Sequence, residues 1–336
     1  MLWVQDDLRQ SLRRAEAVCA LGTPPWPGQR FEPVEIRNSM AEGGSLLRGM
    51  QNARDPAVRI RALEALGETG GAGDLDACLA SLLDPEASVR HAAAEAVVRL
   101  CQRPGNDPVA ERLLLRVFEI GTQWGSRERA AIDAALPRWA PVLCAPATQS
   151  LNSEEASTQQ RAIAAYCLGR MACFDAADAL SALVWDKDAA LAREAASALY
   201  RLRDPESTRL WVGLARHTDP VVQRLSIEAL AALGDSLALE ALTSMALGEG
   251  EYSGTLQILA TNALAVWPKE VSIPRLIRAM TRNPTVRSYA VARLREITRL
   301  PIGDIPNQWQ DWYETGELPE GVEAPRTGDE VEVEVM

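Results

Sequence analysis

The chain has 336 residues, a formal net charge of −11 and an apolar fraction of 47%, with only three phenylalanines and five tyrosines against nine tryptophans. That apolar content is ample for a core built on alanine and leucine. The acidic balance weighs against general nucleic-acid binding, which needs a basic stripe to displace phosphate counterions. Nine acids between Asp311 and Met336 face one base, Arg326, so −8 of the charge sits there and about −3 precedes it. Lysine occurs only at Lys187 and Lys269, and arginine carries the positive charge.

Residues 1–42 form an N-terminal extension. Met1–Leu21 reads as one amphipathic helix with Leu8, Leu12, Ala15, Val18 and Cys19 on one face, and Gly22–Gly28 is a loop of turn formers. Met1–Asp7 is acidic and lacks a signal-peptide core, and no apolar run reaches the roughly 20 residues that span a bilayer. The six cysteines have no Cys-x-x-Cys spacing and mostly sit in apolar helical runs as small hydrophobes. They predict unpaired thiols, a reducing compartment and a cytoplasmic location.

From 43 to 300 a motif returns. Asp55-Pro56 leads into Val58-Arg59 and an alanine–leucine helix, Asp84-Pro85 into Val89-Arg90, Asp219-Pro220 into Gln223, and Asn283-Pro284 into Val286-Arg287. A recurrence of about 30–40 residues with helical apolar spacing marks stacked units that bury their faces against neighbours. Eight second helices begin near Arg59, Arg90, Arg129, Arg161, Ala192, Gln223, Gln257 and Arg287. Six positions on lie Ala65, Ala96, Ala135, Cys167, Ala198, Ala229, Ala263 and Arg293. One further come Leu66, Val97, Leu136, Leu168, Leu199, Leu230, Leu264 and Leu294. Small then large is a packing rule: the small residue admits a close neighbour, and the aliphatic fills the space between layers. A first helix precedes each turn, as at Asp74–Leu83, Pro108–Ile120, Ala176–Trp185, Ser236–Leu247 and Ile273–Met280. In the turns, proline suits the first helical position and aspartate caps the amides that follow.

Residues 301–316 read as a capping segment, a short helix near Ile305–Tyr313 whose Trp309 and Trp312 cover the last unit. Residues 317–336 read as an acidic, disordered tail ending in alternating glutamate and valine. The fold expected is all-α: a curved α-solenoid of about eight helix pairs, with the N-terminal extension and C-terminal cap.

These turns, with proline, aspartate and an arginine early in the second helix, resemble the HEAT-repeat family of the PBS-lyase HEAT-like kind. The resemblance covers about 43–300. Units near Arg129, Arg161 and Gln257 lack the Asp-Pro turn. It implies a protein-binding solenoid whose second helices line a concave face. The overall look and the tryptophan-bearing end also resemble a bacterial family found near type VI secretion genes.

Chemistry has little to start from. Histidine occurs at His91 and His217 alone, neither followed by glutamate. Neither metal-ligand spacing nor a phosphate loop is evident, and Gly67–Gly73 reads as a helix C-cap and turn. Trp124, Trp139, Trp185, Trp211 and Trp267 read as gap-fillers among alanine-rich helices, with stacking platforms for a nucleic acid as the alternative. Nine positions after each second-helix start, four successive units carry Arg99, Arg138, Arg170 and Arg201, and Tyr166 stands one turn before Arg170. Two readings stand: arginines complementing the helix dipole and solvating a face, or a ladder for an acidic partner segment with Tyr166 at its centre. The acidic tail folding back over that stripe is a related expectation. The function expected is a non-catalytic scaffold or adaptor holding a partner protein, without cofactor, nucleic acid or membrane. The alternative is a HEAT-like enzyme of the DNA glycosylase or bilin lyase type.

Overall fold

Each turn of the chain is tied by side-chain oxygens accepting from main-chain amides. Asp55, Asp84, Asp219 and Asn283 accept the N–H two residues ahead, at 2.9, 2.9, 2.8 and 3.1 Å. Proline between them fixes φ where its missing N–H costs nothing. The units without Asp-Pro use another cap. Ser126 accepts from Arg129, Ser157 from Gln160 in a reciprocal capping box, and Ser253 from Leu256. Asp188 accepts from the amides of both Ala190 and Leu191.

The computed structural model describes Gly49 and residues 53–104, 108–123 and 126–322. The expected N-terminal helix, its loop, Trp124, Cys19 and the tail beyond Val322 lie outside them. Fifteen α-helices and three short 3-10 turns are present, and no strand, among the described residues. The fold is an all-α solenoid, and the chain divides into two units, Met1–Leu202 and Arg203–Met336.

The first unit holds α1 (Pro56–Thr69), α2 (Leu75–Ala80), α3 (Ala87–Gln102), α4 (Pro108–Gly121), α5 (Arg127–Asn152), α6 (Thr158–Met171), α7 (Ala177–Leu183) and α8 (Ala189–Leu202). Its second helices pack in chain order, α1 on α3, α3 on α5, α5 on α6 and α6 on α8, while α2, α4 and α7 back α3, α5 and α8. The second unit holds α9 (Thr208–Leu214), α10 (Pro220–Leu233), α11 (Ser236–Leu247), α12 (Gly254–Leu264), α13 (Lys269–Arg282), α14 (Arg287–Thr298) and α15 (Pro306–Thr315). There α9, α11 and α13 back α10, α12 and α14, and α15 closes against α13.

The small-then-large rule places its residues in the core. Leu66, Val97, Leu136, Leu168, Leu199, Leu230, Leu264 and Leu294 are all buried. So are the small residues before them, except half-buried Ala263 and Arg293. Arg293 departs from the rule and bonds Asn262 Oδ1 at 3.0 Å. Close approach is literal at Gly169, where a Cβ would stand 2.6 Å from Ala198 Cα. Gly67 plays the same part against Ala96 at 3.0 Å, so it belongs to the helix, and Gly70 supplies the expected cap. Of the tryptophans read as gap-fillers, Trp139 and Trp211 are buried, while Trp185 is exposed and Trp267 half-exposed. Trp139, Trp211 and the buried Trp309 each donate the ring N–H to an oxygen. Of the capping pair, Trp309 is buried, and Trp312 meets it edge-on at 5.8 Å and stays half-exposed.

Two sequence expectations need correction. The fourth second helix, α6, has no separate first helix. Instead α5 runs 26 residues straight through Pro137, Pro141 and Pro146. Nor are all the thiols unpaired: Cys144 on α5 and Cys173 after α6 form a disulfide, with Cα atoms 5.8 Å apart. The inference from free thiols to a reducing, cytoplasmic compartment loses its premise. What the structure gives is narrower: no described helix is long and apolar enough to cross a membrane.

Candidate functional site

The position read as the start of a second helix turns out to be a donor position in seven of the eight units, Ala192 being the exception. The side chains of Arg59, Arg90, Arg129, Arg161, Gln223, Gln257 and Arg287 each donate to a main-chain carbonyl of the turn or helix before them: Ala53, Asp84, Gly121, Leu151, His217, Tyr252 and Met280. Those carbonyls are orphaned by helix ends and turns, and the side chain satisfies them. Three of these donors also reach the acidic or amide side chain of the next turn. Arg59 grips Asp84 with two bonds of 2.8 Å, Gln257 meets Asn283 at 2.9 Å, and Arg161 lies 3.8 Å from Asp186. Burial pushes the Asp84 carboxyl up, but the bonds from Arg59 and the Glu86 amide, with the charges of Arg59 and Arg90, hold it below its ordinary value. This scaffold fixes the register of everything one further turn along.

The four arginines of the expected ladder all sit in the first unit, on α3, α5, α6 and α8, and all are exposed. Three of them, Arg99, Arg170 and Arg201, occupy last helical turns, where they complement the dipole. Arg138 does not, because α5 continues well past it. Each one also reaches an acceptor. Arg99 lies 3.5 Å from Glu68 on α1, and Arg138 lies 3.8 Å from Glu95 on α3. Arg170 donates to the Asp133 carbonyl on α5 at 3.0 Å, and Arg201 to Glu194 on its own helix at 3.2 Å.

The ladder divides into a connected half and a separate half. Tyr166, half-buried, has the Arg129 guanidinium 4.4 Å from its ring centroid and that of Arg201 at 5.1 Å. Arg129, itself buried, bonds the Asp133 carboxylate at 3.0 Å. Arg170, Asp133, Arg129, Tyr166, Arg201 and Glu194 thus form one chain of contacts across α5, α6 and α8. Burial pushes the Tyr166 phenol up, against a lowering bond from Arg129 and together with the Asp133 carboxylate. Among the described residues, Arg99 and Arg138 are tied to one acid each, Glu68 and Glu95.

A further group escaped the sequence reading. Between α3 and α5 lies a groove of about 590 Å³. Arg90, Arg127, His91 and Arg138 stand along it, and Ala87, Ala94, Ala130 and Ala134 are among the residues lining it. Its one lining acid, Asp84, is held by Arg59. The signal that could have found it was the spacing of Ala87, Ala94, Ala130 and Ala134 on facing second helices.

His217 and the described free cysteines are engaged in the fold. His217 is buried and its Nδ1 accepts the Asp219 amide at 3.0 Å. Burial pushes the thiols of Cys78 and Cys167 up to about 12 and that of Cys101 up to about 11, so they stay protonated at neutral pH and act as packing.

A model of the family described as HEAT repeats matches residues 44–133 and 186–253, just under half of the chain. The turns at Asp55, Asp84 and Asp219 fall within the matched ranges. No curated protein matches the chain. Among solved structures, an engineered protein is 17% identical, covering 87% of this chain and 92% of that one, with a TM-score of 0.33. The Escherichia coli protein YibA is 15% identical over 81% of this chain and 99% of its own, with a TM-score of 0.35. The complex of CpcE and CpcF of phycocyanin lyase from Nostoc sp. PCC7120 is 19% identical over 79% and 98%, with a TM-score of 0.28.

Proposed function

We propose that this chain is a non-catalytic scaffold or adaptor that holds another protein along the second helices of its first unit, through an acidic segment of that partner. The observation that carries the reading is the recurrence of Arg99, Arg138, Arg170 and Arg201 at one register of successive second helices. Each stays exposed while one contact fixes its direction. Guanidinium groups held in a row offer paired donors to carboxylates at low ordering cost. Contacts through Tyr166, Arg129 and Asp133 link Arg201 and Arg170, which supports reading the row as more than solvated surface. The resemblance to a family found near type VI secretion genes is not supported by the matched proteins, and the proposal stops at a protein partner. Neither enzymatic alternative, glycosylase or bilin lyase, is favoured by a particular residue.

The test is capture of the partner from the source cell by tagged wild type and by Arg138→Glu with Arg170→Glu together. The double reversal is expected to abolish capture while the far-UV spectrum and the melting transition stay close to wild type. Undiminished capture by the double variant would show the row to be ordinary surface.

A further inference from the structure

We infer that the groove between α3 and α5 is where the partner is anchored, and that its occupant is an acidic segment carrying bulky apolar side chains. The inference rests on the reading of an acidic protein partner and adds to it the place, the shape and three residues outside the ladder. The groove holds about 590 Å³ of open space, in which a partner's large side chains have room, and its apolar lining is alanine together with Leu82, Leu83 and Pro85. Ala87, Ala130 and Ala134 are exposed, so apolar surface there awaits cover.

The walls set the sign of the charge. Arg90 spends one nitrogen, Nη1, on the carbonyls of Asp84 and Pro85, at 2.8 Å each, which aims the guanidinium without neutralising it. Arg127 is exposed and, among the described residues, has no ion-pair partner. Arg138 meets Glu95 only at 3.8 Å, both side chains more than two-fifths exposed. Exposed His91 adds a further donor. The one acid in the lining, Asp84, is paired with Arg59 by two bonds and also acts on Arg90, which leaves Arg127 as the wall cation with no acid against it among the described residues. An occupant with carboxylates at its edges and aliphatic or aromatic groups at its centre satisfies walls and floor at once. Nucleic acid would meet the cations but leave the apolar lining uncovered.

The experiment uses the full chain and a labelled peptide of glutamates with leucines at helical spacing, read by fluorescence anisotropy. Ala134→Trp fills the groove from an exposed position and keeps every charge, while Arg127→Glu inverts a wall and keeps the volume. Each is expected to weaken binding by about tenfold or more, as is replacing the peptide's leucines by serine. Binding that ignores Ala134→Trp and Arg127→Glu but falls with Arg170→Glu would overturn the groove and leave the arginine ladder standing. Binding indifferent to all three variants, or absent altogether, would overturn the groove and withdraw support from the ladder. Displacement of the peptide by duplex DNA at equal concentration would also overturn the proposal, by making the groove a nucleic-acid site.

Discussion

Arg170 on α6 donates its Nη2 to the main-chain carbonyl of Asp133 on α5, 3.0 Å away, because Pro137 has no N–H to offer that carbonyl. An interior proline deprives the carbonyl four residues earlier of its partner, and here a side chain from the next repeat supplies one. The pairing explains how a 26-residue helix survives its first proline. It also means that one rung of the ladder serves the fold as well as the surface.

The two roles separate in a double-mutant cycle. Arg170→Ala should cost about 1 kcal/mol of unfolding free energy in wild type. Pro137→Ala restores the helical bond, so in that background the same substitution should cost close to nothing. Urea unfolding of the four proteins gives the coupling, and additive costs would mean that the carbonyl does not need Arg170.

At Gly169 two physical effects have opposite signs. Helix propensity favours alanine by about 1 kcal/mol. The Ala198 backbone, however, stands 2.6 Å from where the new Cβ would be, and forcing in a methyl costs about 1–3 kcal/mol. Gly169→Ala is expected to be destabilising by up to about 2 kcal/mol in denaturant unfolding. A stabilised variant would show that α6 and α8 are not locked at that approach.

The turn-to-turn pair of Arg59 and Asp84 predicts a pH signature. The Asp84 carboxyl is held below its unfolded value of 3.8. A depressed carboxyl contributes stability that is fully present above the unfolded value and is lost as pH falls through the folded one. Asp84→Asn should therefore cost about 2–3 kcal/mol at neutral pH, with the gap to wild type closing as pH is lowered below about 4. Chemical unfolding across that range reads the gap directly, and a gap constant with pH would assign the loss to shape rather than charge.

The disulfide joins residues 29 apart in sequence. Closing a loop of that length removes about 3–4 kcal/mol of denatured-state entropy in the chain-entropy model. Thiol titration in denaturant is expected to rise by two on adding reductant, and Cys144→Ser with Cys173→Ser should lower the melting point by a matching amount. No rise would mean that the two sulfurs are not bonded in the isolated protein.

Much of the fold was legible because helical spacing and turn chemistry agree. Asp55, Asp84, Asp219 and Asn283 announce their turns, and the alanine–leucine steps fix the phase of each helix. What was not legible has physical causes. Proline reads as a stop, yet α5 passes through Pro137, Pro141 and Pro146. Ser126, Ser157 and Ser253 cap as well as aspartate does, but serine occurs in too many other places to signal a turn. Cys144 and Cys173 meet only through the packing of α5 against the end of α6, which no spacing encodes. At the site, the register of Arg99, Arg138, Arg170 and Arg201 came from counting. The groups that aim them (Glu68, Glu95, the Asp133 carbonyl and Tyr166) lie mostly on a neighbouring helix, and only the third dimension joins them.

Amide hydrogen exchange of the full chain, alone and saturated with its captured partner, tests the central claim most directly. The account expects slowed exchange concentrated on α3, α5, α6 and α8, with α2, α4 and α7 unchanged. Protection of α2, α4 and α7 with the second helices unaffected would contradict it.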